Sequence, residues 1–404
     1  MTTADKKPGI DKPGFDGEWV RAKLLDVCDF RGGTQPPKSE WIKEPRPGYV
    51  RMLQIRDYSQ DSLKYAEYVK DSSSLHKCEK TDIMLSRYGY IGQVFTGLEG
   101  AYNVALVKVV KKVSADTRYL FYYFESDYFK KTLLASTGSR ATIQGFNKSE
   151  LANAEINLPD KTTQRRIPKI LELLDSLIEI SNKIVLLLDD LVKSQFVEMF
   201  GDATSIASKW NQIPFGECLA VFESGNSPSC SNAPREDDNP AVLKLSALSS
   251  GRFIAGENKA MLEGEDINPD KEVKRGDILI ARKNTPELVG SCAIVRDEVK
   301  NLMFPDIVFR VHPRDNVSGE YLCELLSGPS FSGKLKSLAH GSAKSMSNIS
   351  KTALERLPVP LPPLSLQQQF ADFVARVDKL RFDVQQQIER LEILKQSLMQ
   401  EYFG

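Results

Sequence analysis

The sequence predicts a mixed α/β (α+β) protein made of two tandem units. Each is a strand-rich front domain followed by one long helix, and the two helices pair as an antiparallel coiled coil about a pseudo-two-fold axis. Three observations carry this. Residues 138–201 align with 341–404 without a gap at a constant offset of 203, with fifteen identities that include Gly138/Gly341, Lys148/Lys351, Leu158/Leu361, Gln164/Gln367 and Phe200-Gly201/Phe403-Gly404. Proline before and glycine after bracket an apolar-periodic run in each copy. Within those runs the apolar residues alternate steps of three and four.

Upstream the likeness is weaker but keeps its order. Trp19 matches Trp210, and the turn Gly33-Thr34-Gln35-Pro36 matches Gly225-Asn226-Ser227-Pro228. Asp82-Ile83-Met84-Leu85-Ser86-Arg87 matches Asp277-Ile278-Leu279-Ile280-Ala281-Arg282, and Val107-Lys108-Val109 matches Phe309-Arg310-Val311. Short alternating apolar runs between Gly/Pro turns read as strands mixed with short helices. The organisation expected is a polar tail over 1–18, front domains over 19–160 and 202–361, and helices over 161–201 and 362–404.

The seam expected on the second helix runs through Phe370, Phe373, Val377, Leu380, Val384, Gln387, Leu391, Leu394 and Leu398. Mapped back by the offset, the first helix contributes Ile167, Ile170, Leu174, Leu177, Ser181, Ile184, Leu188, Leu191 and Gln195. Further apolar residues at Leu171, Ile178, Val185, Leu187 and Val192 make its apolar face wider than one seam requires. A helix running from about Thr162 to Phe200 is a rod of about 58 Å, which cannot bury such a stripe in a small globule. The other helix is the natural partner, and independent homodimerisation through each helix is the alternative.

Composition narrows the chemistry. The 54 basic and 54 acidic side chains cancel, so any nucleic-acid contact has to be local. The six cysteines stand singly with no CxxC pair, as in reduced cytosolic proteins, and no apolar run approaches a membrane span. The expectation is a cytoplasmic chain with no membrane association. Three scattered histidines, His76, His312 and His340, form no metal or acid-base constellation. Phosphate-loop, dinucleotide and nucleophile-elbow signatures are missing, and Asp270 and Glu272 share one acidic stretch instead of flanking a metal from separate strands. No catalytic residue and no metal site is expected.

Polar segments with cations and aromatics are the candidate contact surfaces. The first runs from Thr137 to Lys148 and offers Arg140, Thr142, Gln144 and Lys148; its repeat, His340 to Lys351, offers Lys344, Ser345, Asn348 and Lys351. Such turns supply hydroxyls, amides and cations suited to phosphates and base edges, although a polar turn before a buried strand has the same composition. Arg87, Tyr88 and Tyr90 in one copy, and Arg282, Lys283 and Asn284 in the other, follow an apolar strand whose end can reach a groove.

The arrangement resembles the specificity subunit of Type I restriction-modification systems. The likeness rests on two front domains, each leading through Leu158-Pro159 with Gln164, or Leu361-Pro362-Pro363-Leu364 with Gln367, into a long helix. The resemblance implies a non-catalytic subunit whose two target-recognition domains each read half of an asymmetric split sequence in double-stranded DNA, the helices fixing the unread spacer. It also implies partners: two modification (methyltransferase) subunits using S-adenosylmethionine, and restriction (translocase-nuclease) subunits using ATP and Mg. No cofactor is expected on this chain. A protein-interaction scaffold of another defence complex is the competing expectation.

Overall fold

The computed structural model describes residues 19–59, 63–89, 91–137, 145–202, 205–340 and 346–404. It forms two compact units. The first comprises residues up to Asn182 together with Gln386–Gly404, and the second comprises Lys183–Gln385.

In the first unit, β1 (Val20–Lys23) leads through α1 (Leu24–Val27) into β2 (Cys28–Gly32), followed by β3 (Tyr49–Leu53), α2 (Ile55–Ser59), β4 (Tyr68–Lys70), β5 (Lys77–Cys78), β6 (Met84–Ser86), β7 (Val94–Phe95), β8 (Gly100–Tyr102) and β9 (Leu106–Lys111). Helices α3 (Thr117–Glu125) and α4 (Asp127–Thr137) precede β10 (Glu155–Leu158) and the long α5 (Lys161–Phe200). One antiparallel sheet has the order β2-β9-β6-β7, and a second, β4-β3-β8-β5, contains a parallel β3-β8 pair. Strands β1 and β10 pair antiparallel, with Val20 opposite Leu158, and so bring the start of the domain to the start of α5.

The second unit repeats this. After α6 (Ile206–Lys209) come β11 (Gln212–Pro214), β12 (Leu219–Ser224), β13 (Ala241–Leu243), β14 (Asn258–Ala260), β15 (Ile278–Ala281), β16 (Lys283–Asn284), β17 (Cys292–Ile294), β18 (Leu302–Met303) and β19 (Val308–Pro313). Then follow α7 (Gly319–Ser327), α8 (Pro329–Ser337), β20 (Ser347–Asn348), α9 (Lys351–Glu355), β21 (Pro358–Pro360) and α10 (Leu364–Phe403). The sheet order β12-β19-β15-β17 reproduces β2-β9-β6-β7, β14-β13-β18 reproduces β4-β3-β8 with its parallel pair, and β11-β21 reproduces β1-β10. The two units differ in β5 of the first and in the β16-β20 ribbon of the second.

The repeated turn glycines have a steric cause. A Cβ on Gly33 would land on the backbone carbonyls of Tyr102 and Asn103, and one on Gly225 on those of Phe304 and Pro305. These approaches let Thr34 N–H reach Tyr102 O (3.0 Å) and Asn226 N–H reach Phe304 O (3.0 Å), which ties the two sheets of each domain.

Within each unit the long helices run antiparallel. In the second, Asp189 pairs with Arg381 (2.7 Å) while Phe196 packs edge-on to Phe370 (5.4 Å). In the first, Asp175 pairs with Lys395, and Leu391, Leu398 and Met399 pack on the core containing Ile167, Leu171 and Leu174.

The seam differs from the expected one at alternate positions. Ile167, Leu174, Leu188, Phe370 and Val377 are buried and Leu391 is half-buried, but Leu177, Leu191, Leu380 and Leu394 are 36–50% exposed. The residues that turn inward lie one place further on: Leu171, Ile178, Val185 and Val192 on α5, and Val374, Arg381, Ile388 and Lys395 on α10. Two of these are cations, whose stems fill the seam while their heads meet Asp189 and Asp175. At Leu380 and Leu394 the expected leucine gives way to a neighbouring cation, and at the other shifted positions the expected residue gives way to a neighbouring apolar one, so the apparent seam moves by one residue at every other position.

Candidate nucleic-acid interface

In each unit the strand-end arginine meets the described end of a polar segment some sixty residues further along the chain. Arg87 stands at the end of β6, where its backbone N–H bonds Ala105 O (2.8 Å). Its guanidinium reaches the far side of the Gly-Ser segment, with Nε donating to Phe146 O (3.0 Å) and Nη2 to Asn147 Oδ1 (2.6 Å). Tyr88 lies beneath that guanidinium, 5.4 Å from it. Gly145 has a left-handed φ of +67°, and a Cβ there would collide with Arg87 O and the Tyr88 ring, so the segment returns directly over the strand end.

Arg282 does the same in the second unit. Its N–H bonds Ile307 O (3.0 Å), its Nε donates to Asn348 Oδ1 (3.3 Å), and its guanidinium lies 5.1 Å from the Phe309 ring. Here the contact grows into a short ribbon in which Lys283 faces Asn348 and Asn284 faces Ser347. Lys283 is exposed, whereas Asn284 is buried and its Oδ1 accepts from Thr285 N–H (2.8 Å), so its side-chain carbonyl serves the local turn.

The repeated lysines also have partners inside their units. Lys148 pairs with Asp29 on β2, and that bond holds the Asp29 carboxyl below its ordinary range. Lys351 donates to Phe222 O on β12 (2.6 Å), with its ammonium 4.9 Å from the Phe222 ring. Both remain about half exposed, so each pins the loop's end while keeping its charge at the surface. Tyr90, Arg140, Thr142, Gln144, Lys344 and Ser345 lie outside the described residues.

Sequence reasoning did not single out the charged cluster inside the second domain. Arg310 on β19 is nearly buried between Glu223 (Nε to Oε1, 2.8 Å) and the fully buried Asp277 (3.4 Å), and it donates to Glu272 O (2.8 Å). Lys271 adds a second bond to Glu223 (2.6 Å), and His312 contacts Asp277. Burial pushes the Glu223 carboxyl up, but the bonds from Lys271 and Arg310 outweigh it and hold it below its ordinary range. At these places the first domain pairs Lys108 with Asp82. The signal was available, since Asp82/Asp277 and Lys108/Arg310 are matched positions of the repeat.

Among the described residues no group of three or more His, Cys, Asp or Glu side chains is arranged to hold a metal ion, and no helix is long and apolar enough to cross a membrane. What each site offers among the described residues is the end of a polar segment, carrying Lys148 or Lys351, tied to a strand end, an arrangement that can hold polar groups against a phosphate backbone or a base edge.

The family described as Type I restriction modification DNA specificity domain matches residues 16–188 and again 208–392. The Type I restriction enzyme EcoEI specificity subunit of Escherichia coli is 31% identical over 182 residues, covering 44% of this chain and 31% of that protein. The MjaVIII specificity subunit of Methanocaldococcus jannaschii is 24% identical over 407 residues, covering 95% of this chain and 91% of its own length. Among solved structures, the S subunit of the Type I restriction-modification system from M. genitalium superposes with a TM-score of 0.53 at 15% identity, covering 97% of this chain and 98% of that one. A chain solved in work on complex assembly and conformational transition of the type I R-M system gives 0.54 at 18% identity, covering 99% of both.

Proposed function

Because the chain belongs to the family of Type I restriction-modification DNA specificity domains, which matches it twice, we propose that it gives a Type I methyltransferase and restriction complex its sequence specificity by reading an asymmetric, split target in double-stranded DNA. The observation that carries this reading is the duplication of one domain topology with different loops on each copy. Two copies of one scaffold suit two half-sites, and unlike loops suit unlike bases. The strand ends at Arg87 and Arg282, together with the polar segments 137–148 and 340–351 whose described ends they bond, are the surfaces proposed to meet DNA, with Arg140 and Lys344 as the cations offered to it. The paired helices hold the gap, and half-sites one duplex turn apart, about 34–36 Å, lie within the span of such a rod.

The chemistry belongs to partners in this reading: modification subunits with S-adenosylmethionine, and restriction subunits with ATP and Mg. The surface proposed to receive the former lies on α5. Leu173, Leu177, Ile180, Ile184, Leu187 and Leu191 form an exposed stripe beside the seam, each at least 36% exposed. The corresponding residues of α10 are Arg376, Leu380, Asp383, Gln387, Arg390 and Leu394, which are mostly polar. Leu187→Lys combined with Leu191→Lys is expected to leave the fold intact and weaken retention of the modification subunit by about a hundredfold. Co-purification from cells expressing both chains measures this, and undiminished retention would place the subunit elsewhere. Mapping methylated bases in cells that carry the assembled system tests the function as a whole.

A further inference from the structure

Gln164 and Gln367 are the fourth residues of α5 and α10, and both are at least 95% buried. Each makes the same pair of bonds. Gln164 Oε1 accepts from the backbone N–H of Asp116 (2.9 Å), the residue that caps α3, and its Nε2 donates to Pro159 O (2.7 Å). Gln367 Oε1 accepts from the N–H of Ser318 (2.8 Å), which caps α7, and its Nε2 donates to Pro362 O (2.8 Å). An N–H can only donate and a carbonyl only accept, so these partners fix which way each carboxamide faces.

A second bond runs alongside. Tyr119 Oη donates to Asn157 O, and Tyr321 Oη to Pro360 O (2.8 Å), each from the first turn of the domain helix to the strand that leads into the long helix. Three elements of each unit, the domain helix, the last strand and the first turn of the long helix, are thus held by one amide and one phenol. The start of α5 does not need Gln164 as a cap, because Asp160 already accepts from Thr162 N–H (2.7 Å) and Thr163 N–H (3.1 Å). The glutamine's bonds lead out of the helix and into the domain.

We propose that Gln164 and Gln367 are positioning residues that set the direction in which each reading domain leaves its spacer helix, and thereby the length of unread DNA that the complex accepts. The proposal rests on the split-target function above. The lever is long: at about 25 Å from the bracket, roughly the size of such a domain, a swing of about 8° moves a loop by about 3.4 Å, the rise of one base pair. Two buried bonds that converge from different elements hold an angle more tightly than apolar packing alone.

The test uses the chain co-purified with its modification subunit and duplexes in which both native half-sites flank the native gap or a gap one base pair shorter or longer. Gln164→Met and Gln367→Met keep side-chain length and volume while removing both bonds. Each is expected to raise the ratio of methylation on altered gaps to methylation on the native gap by about tenfold. Tyr321→Phe removes only the parallel bond, so it keeps the inference testable should a methionine variant fail to fold, and it is expected to move the ratio in the same direction by a smaller factor. A merely structural role would lower all three gaps together, and an unchanged ratio in the folded variants overturns the inference while leaving the function standing. A wild-type complex indifferent to the gap overturns both.

Discussion

Replacing Arg310 with leucine is expected to cost the second unit about 3 kcal/mol or more, because it strands carboxylates in a domain interior. Asp277 is fully buried, and without the guanidinium it keeps only His312 and its own turn, while Glu223 keeps Lys271. Hydrogen exchange of β12, β15 and β19 measures the loss, with the strands of the first unit as an internal control. Unchanged protection would contradict the assignment. The pH dependence has a definite sign. Because the Glu223 carboxyl is held below its ordinary range, its contribution is fully present above that range and is lost as pH falls through the lowered value. The wild-type chain is therefore expected to lose protection on acidification more steeply than the variant. Lys108→Leu at the matched place in the first unit faces only a partly exposed Asp82, so its cost is expected to stay within about 1 kcal/mol.

The second large effect concerns specificity. Replacing residues 202–350 with the same segment of a relative that reads a different sequence is expected to change one half of the target completely and leave the other half and the gap untouched. The segment carries β15, β16 and β20 together, so Arg282 moves with Asn348, and of the candidate contact residues in that unit only Lys351 stays behind. It stops before α9 and Gln367, whose bond across to position 318 needs only a backbone N–H, and the relative chosen carries a tyrosine at the place of Tyr321 so that the parallel bond is kept. Methylation at the old half-site should fall more than about a thousandfold, since each of several mismatched pairs costs about 1–3 kcal/mol. A hybrid that retained the old half, or altered both halves, would contradict a one-domain-per-half division.

What the sequence made legible divides along physical lines. The long helices were legible because one offset relates them without a gap and because Leu158-Pro159 and Gly201 punctuate the first as Leu361-Pro362 and Gly404 punctuate the second. Their seam was legible only at every other position, since a stripe rule counts Leu380 and Leu394 as core and has no means of seeing that Arg381 and Lys395 turn inward to meet aspartates. The front domains share few residues, yet their strand order repeats, because Gly33 and Gly225 and the Asp82 and Asp277 strands hold one framework while the loops vary. Arg87 and Arg282 were visible as strand-end cations. That each reaches across to Asn147 or Asn348, some sixty residues later, is a tertiary fact with no local signature.

The measurement that bears most directly on the central claim is base-resolution mapping of DNA methylation in cells expressing this chain with its modification subunit. One asymmetric motif is expected, made of two defined halves separated by an undefined gap of constant length, and it should disappear when this chain is omitted. A contiguous motif, a gap that varies from site to site, or methylation unchanged without this chain would contradict the account.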